Sequence, residues 1–362
     1  PGFYRDGIGG WGAEDDFDED GTLPHPYSTS SYLATNYPDY QALWEGARYE
    51  WKPRNSVEDF FRQGGSATAS INIRGRSDDN KINYGVSYAH LSEEGFTPGN
   101  DVTRNNMTVS GGAKLSNNFT ANASMTYSRT KMITPPVAWS GGSSVGYAGS
   151  SIFGDLLYTP RSIDFFELPY ELPDGSSIYY RDDNAIQHPL WTLNNAQFSQ
   201  LTNRVNGFAS LQYDFDDHLN LKYQGSVDVY SEDNVNRQNK GGVVGDIAVD
   251  NGFYDTWNNN NLITDHLIIF SGNNYSFFDE KVNMSFNLGG TSRSTDYNRI
   301  GVESNTQQVF DFFDHSGFVN QTPIEFHQRR NIVGLFGQAS IDYDNIFFVN
   351  VSGRNDWVSN SK

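Results

Sequence analysis

The chain has 362 residues, no cysteine, 15% aromatic residues and a formal net charge of −19. The missing cysteines exclude a disulfide framework and thiol chemistry, and the acidic balance excludes the phosphate-backbone binding that basic patches perform. No run of about 18 apolar residues occurs, so no transmembrane helix is encoded.

Residues 1–65 read as a large loop region rather than as strands. Two short helices are expected there, one near Tyr40 to Glu50 and one from Val57 to Gln63, the second capped by Ser56 with Asp59 at N3 and stopped by Gly64. The same region holds Asp16-Phe17-Asp18-Glu19-Asp20-Gly21-Thr22. Alternate carboxylates on a tight glycine turn suit a hard cation, so Ca2+ is expected at Asp16, Asp18 and Asp20 with the Thr22 carbonyl. The twelfth position is Tyr27 rather than glutamate, so this is not an EF-hand, and a merely solvated acidic loop has the same composition.

From residue 66 to 362 apolar and polar residues alternate in segment after segment. Ala67, Ala69, Ile71 and Ile73 begin the pattern. Ile82 to Tyr88, Met107 to Leu115 and Phe119 to Tyr127 continue it, as do Val205 to Phe215, Val282 to Leu288, Val333 to Tyr343 and Phe347 to Val351. The clearest case sets Leu219, Leu221, Tyr223, Gly225, Val227 and Val229 against Asn220, Lys222, Gln224, Ser226 and Asp228. A period of two is a strand, and the second face is too polar for a protein core. Roughly ten strands are counted, most near the ~9–11 residues that cross a bilayer at a tilt.

The links between strands alternate in length. Short ones lie at Gly75 to Lys81, Ser116 to Asn118, Asp216 to His218, Phe278 to Lys281 and Asp344-Asn345. Long ones run from Ser92 to Val102, Thr130 to Leu201, Ser231 to about Asn258 and about Ser292 to Gln328. A soluble antiparallel sheet also alternates along its strands, yet it has no reason to sort its links in this way. The expectation is an all-β, antiparallel up-and-down transmembrane β-barrel wall with long extracellular loops. A mean hydropathy of −0.61 beside abundant aromatics fits such a wall.

The wet face supplies the candidate lumen residues, Asn206, Gln212, Gln224, Asp228 and Asn283. Most tryptophans lie outside the recognised strands, and in a wet loop Trp139 or Trp191 can stack on an apolar sugar face; anchoring of a long loop is the plainer role. Tyr88, Tyr127, Tyr213, Phe215, Tyr230 and Trp357 sit at strand ends, where interfacial girdles place aromatic rings. The seven histidines show no metal-ligand spacing, and no nucleophile elbow or phosphate loop occurs. No enzyme is expected.

Several motifs, each weak alone, follow one another in an order that resembles a known family. They are Asp59-Phe60-Phe61-Arg62-Gln63-Gly64, Gly95-Phe96-Thr97-Pro98-Gly99-Asn100 with Arg104-Asn105-Asn106, Pro160-Arg161-Ser162-Ile163-Asp164 and His188-Pro189-Leu190-Trp191. Gly225-Ser226-Val227-Asp228-Val229-Tyr230, Gly334-Leu335-Phe336-Gly337 and Gly353-Arg354-Asn355-Asp356-Trp357 complete the set. Together they resemble the SusC/RagA-type TonB-dependent outer-membrane transporters of Bacteroidetes. The resemblance implies a barrel of about 22 strands around a plug, a TonB contact, a SusD-like surface lipoprotein, outer-membrane lipid around the wall, and glycan or peptide uptake with no required cofactor. The chain opens at Pro1 without a signal and lacks the plug, the TonB box and closing strands, so it is expected to be the middle of a longer barrel whose remaining strands cover its two edges. A non-transporting outer-membrane assembly barrel, or a soluble β-rich carbohydrate-binding protein, are the alternatives.

Overall fold

A computed structural model describes residues 21–361 apart from 51, 136–151, 165, 182, 183, 185, 245–247, 250, 279, 280 and 345. Two short strands, β1 (Thr22–Pro24) and β2 (Arg48–Glu50), pair as a small ribbon. Ten further strands make one sheet: β3 (Gly65–Arg76), β4 (Ile82–Glu94), β5 (Asp101–Lys114), β6 (Phe119–Thr134), β7 (Ala196–Asp214), β8 (Leu219–Gln238), β11 (Phe253–Phe277), β12 (Val282–Gln307), β13 (Phe318–Tyr343) and β14 (Phe347–Ser361). Between β8 and β11, β9 (Val243–Val244) and β10 (Ala248–Val249) form a minor pair.

The large sheet is antiparallel throughout, and its order follows the chain: β14-β13-β12-β11-β8-β7-β6-β5-β4-β3. It is the expected up-and-down meander. All the short connections lie at one end of the sheet. There Asn80 and Asp344 take left-handed φ of 57° and 54°, which tight links need and short polar side chains tolerate.

The register puts the expected residues on two faces. Ile71, Tyr88, Met107, Tyr127, Val205, Val229 and Leu262 form one row across seven strands. Their side chains are solvent-accessible, with Ile71 at 59% and Val229 at 40%, and Val227 beside them is 38% exposed. No second layer covers this face among the described residues. A row of small residues, Gly111, Ala123, Ala209 and Gly225, leaves a shallow groove of about 700 Å³ in it. At its upper margin the Tyr88 and Tyr127 hydroxyls donate to Asn105 and Asn203 at 2.8 and 2.9 Å, the ring apolar and the tip polar, as an interface favours.

Strand ends depart from the sequence reading. The stretches Ser231 to Asn258 and Ser292 to Gln328, expected as long loops, are mostly strand: β12 and β13 each run 26 residues. At ~3.4 Å per residue they exceed by far an apolar band about 25 Å tall, even when tilted. Beyond the band both faces meet water, so the ladder persists while the hydrophobic alternation disappears.

At the long-link end, α1 (Pro26–Thr29), α2 (Ser31–Asn36), α3 (Pro38–Ala42) and α4 (Ser56–Phe60) pack with α5 (Ile152–Tyr158) and α6 (Pro189–Asn195). Leu23, Tyr27, Leu33, Tyr49 and Phe60 share one buried cluster with Ile152, Leu156, Ile163 and Ile178. Residues 21–64 therefore do not close a core of their own. The helix expected near Tyr40 to Glu50 is α3 alone, and Arg48–Glu50 is strand. Ser56 is the first residue of α4 rather than its cap; its hydroxyl donates to the Ile163 carbonyl at 2.9 Å, tying the two loop segments together.

Candidate functional site

The inner face begins from parity. Asn206, Gln212, Gln224 and Asp228 occupy even positions of β7 and β8, and Asn283 an odd position of β12, all opposite the exposed apolar rows. Asn206 and Asp228 are direct cross-strand partners, while Gln224 faces Ser210 and Gln212 faces Lys222. These residues share a face without converging on a point, because Asn206 and Gln212 are separated by about 20 Å of extended chain.

Their chemistry differs from site to site. The Asp228 carboxylate accepts from Arg204 Nε at 2.8 Å and from a second guanidinium nitrogen at 2.5 Å, so it forms a fork with its neighbour rather than a free acid. Gln212 donates to Asp214 at 2.8 Å, and Asn283 accepts from the Ser276 hydroxyl at 2.7 Å. Asn206 and Gln224 make no side-chain hydrogen bond with described residues, and their amides face the inside of the wall.

Trp191 does not present a ring to the lumen. It is fully buried on α6, and its indole N–H donates to the Gly175 carbonyl at 2.8 Å. A ring so enclosed anchors the loop module and cannot stack on a ligand. Trp139 lies outside the described residues. Trp257, read as a loop residue, lies on the inner face of β11 with the Arg299 guanidinium 5.2 Å above its ring.

Asp16, Asp18 and Asp20 also lie outside the described residues. Thr22 starts β1, where its hydroxyl and its carbonyl both accept from Arg48, at 3.1 and 2.8 Å. Among the described residues no three metal-ligating side chains cluster.

Arginines, absent from the lumen candidates drawn from the sequence, carry the strongest charge on this face. Arg204, Arg293, Arg299, Arg330 and Arg354 all have inward parity. Arg354 grips Asp356 at 2.8 to 3.0 Å and also reaches Thr291. Applying the two-residue period to charged as well as neutral residues would have found them.

In the loop module burial sets the electrostatics. His25 stacks on Trp44 at 4.2 Å, and its Nδ1 accepts from the Tyr27 N–H at 3.2 Å; desolvation lowers its pKa to about 4. Tyr49 donates to the Ser162 carbonyl at 3.1 Å and accepts from the Asp164 N–H at 2.7 Å. Burial raises its hydroxyl to about 12. Arg54 meets Asp164 at 3.1 Å in the same half-dry seam.

No family model matches the sequence, and no curated protein matches it. Solved structures do. The RagAB peptide importer in its closed-closed state is 16% identical, with a TM-score of 0.68 over 92% of this chain and 36% of that one. The ferric citrate transporter FecA is 10% identical with a TM-score of 0.53, covering 83% of this chain and 36% of that one. The ferripyoverdine receptor of the outer membrane of Pseudomonas aeruginosa is 12% identical with a TM-score of 0.52, covering 82% and 36%. The chain thus spans about a third of the length of the proteins it resembles. What is shared at these identities is the fold: a sector of a β-barrel such as these outer-membrane transporters have.

Proposed function

We propose that the chain forms part of the wall of a TonB-dependent outer-membrane importer of SusC/RagA type, resident in a Bacteroidetes-like Gram-negative outer membrane. The observation that carries this reading is the two-faced meander: an uncovered apolar face, a polar arginine-bearing face, and links sorted by length. The likeness to the RagAB peptide importer supports it. In this reading strands from the rest of the protein pair with the free edges of β3 and β14, because unpaired edges in lipid are too costly.

Cargo is a large nutrient, an oligopeptide or glycan, which passes inside the wall by mechanical work delivered through TonB, with no covalent step. A SusD-like lipoprotein meets the helical module at the long-link end. The decisive experiment deletes the TonB contact in the parent gene and measures nutrient uptake. Loss of uptake is expected; undiminished uptake overturns the reading in favour of a non-transporting assembly barrel. The acidic loop at Asp16, Asp18 and Asp20 with the Thr22 carbonyl is a separate proposal for Ca2+. Calorimetric titration of the whole protein is expected to show heat that D18N abolishes, and no heat at millimolar calcium rules the site out.

A further inference from the structure

We propose that the inner-face pocket between Arg293 and Arg330 is an oxyanion subsite that takes a carboxylate of the cargo. The proposal rests on the importer reading and adds a chemical feature to its substrate.

The pocket encloses about 400 Å³ and is lined by Arg293, Thr295, Tyr297, Gln328, Arg330 and Ile332. Arg330 pairs with Thr295 and Arg293 with Ile332, so the two arginines stand diagonally across the β12–β13 seam on one face. Such diagonal neighbours lie roughly 7–8 Å apart, within reach of long side chains. Three other arginines of this face are neutralised or covered, Arg204 by Asp228, Arg354 by Asp356 and Arg299 by the Trp257 ring, while Arg74, Arg76 and Arg104 stand apart on β3 and β5 with no second arginine of this face across a seam. Here the balance is different. Arg293 has an ion pair with its cross-strand partner Asp265 at 3.7 Å, and no described carboxylate comes within ion-pair distance of Arg330.

Two guanidinium groups on one face that share a single carboxylate, Asp265 across from Arg293, keep a net positive charge and repel each other, in a chain whose overall charge is −19. An oxyanion between them removes that repulsion and accepts forked hydrogen bonds, which the planar guanidinium matches better than an ammonium does. The walls suit a defined ligand. The Tyr297 hydroxyl donates to Asn259 at 3.0 Å and its ring contacts Phe326 at 5.9 Å, so the ring is held in place, and Gln328 across the seam offers an amide. The level is also informative, since the outward residues of β12 turn from Leu288 and Gly290 to Ser292 and Ser294 just below it. The pocket lies on the long-link side of the apolar band.

The test uses the full-length barrel protein in detergent, with citrate as the probe in isothermal titration calorimetry. Citrate is expected to bind wild type and to weaken by about tenfold or more in R330Q and in R293Q, the scale of one lost charge-assisted contact. R330K, which keeps the charge and loses the fork, falls between. R129Q, on the outward face, binds as wild type does, and circular dichroism verifies an intact sheet in each variant. Equal citrate affinity in wild type and the R293Q/R330Q double variant overturns the subsite. So does absence of citrate binding to wild type, the result expected if a carboxylate from another part of the same protein fills the pocket.

Two further titrations identify the source of the carboxylate. An oligopeptide pool is compared with its amidated form, and oligogalacturonate with its methyl ester. The cargo class is the one whose affinity falls both on masking and in R330Q; if neither falls, a cargo carboxylate is refuted. The importer reading is tested apart from this, by deletion of the TonB contact. Citrate binding at the arginines survives its failure, and uptake unaffected by R293Q/R330Q leaves the importer standing while removing the subsite.

Discussion

Trp191 is wholly enclosed where α6 leads into β7, with its one polar atom bonded to Gly175. Truncating a buried aromatic ring removes its contacts and leaves a hole, at a cost of about 3–5 kcal/mol. W191A is therefore expected to lower the thermal midpoint of the helical module and to expose it to protease, whereas a ligand-stacking tryptophan would change binding alone. His25 gives the module a pH response. Its folded pKa is about 4 against an ordinary 6.5, because burial favours the neutral ring and Nδ1 must stay unprotonated to accept from Tyr27. The stabilisation is complete above pH 6.5 and is lost as pH falls through 4. Melts of H25Q across that range are expected to be flatter than those of wild type. Anchoring was the plainer reading of Trp191 in sequence, but its partners Gly175 and Gly242 were not legible from its neighbours, since other segments bring them to it.

At the scale of the strand, β11 and β12 set Asp255 directly opposite Glu303. Desolvation, then the neighbouring charge of Glu303, raises the Asp255 carboxyl from 3.8 to about 6. A folded pKa above the unfolded one means stability that is present below pH 3.8 and lost as pH rises through about 6. D255N is thus expected to stabilise this extension at neutral pH and to have little effect near pH 4, as hydrogen exchange of the paired amides would read. An unchanged exchange rate at pH 7 would refute it. Why β11 was hard to read follows from the same element. Leu267 to Phe270 is apolar on both faces, and Asn258 to Asn261 is polar on both, so no period of two stands out. By contrast β7 and β8, where lipid-type and water-type faces alternate cleanly, were legible to within a residue or two at their shared turn. The inner polar residues followed from the same parity. Their partners did not: Arg204 closes on Asp228 because register places Asn206, not Arg204, directly across the seam, leaving the long guanidinium to reach diagonally.

For the molecule as a whole, β3 and β14 have one paired neighbour each and carry exposed side chains along nearly their entire length. Two free edges beside an uncovered apolar face predict that residues 1–362 expressed alone associate or require detergent. Sedimentation without detergent is the check, and a monodisperse soluble monomer would overturn the membrane assignment. The short links give every hairpin a common floor, while β3 to β6 rise only 12 to 16 residues from it and β12 and β13 rise 26. At the usual rise and tilt, that inequality lifts one flank of the rim roughly 25–35 Å above the other. Among the described strands the long-link rim is therefore a ramp, and the helical module occupies its low flank: Phe61 and Phe153 pack on Phe96 between β4 and β5, and Arg62 donates to Gly95 and Asp101 there.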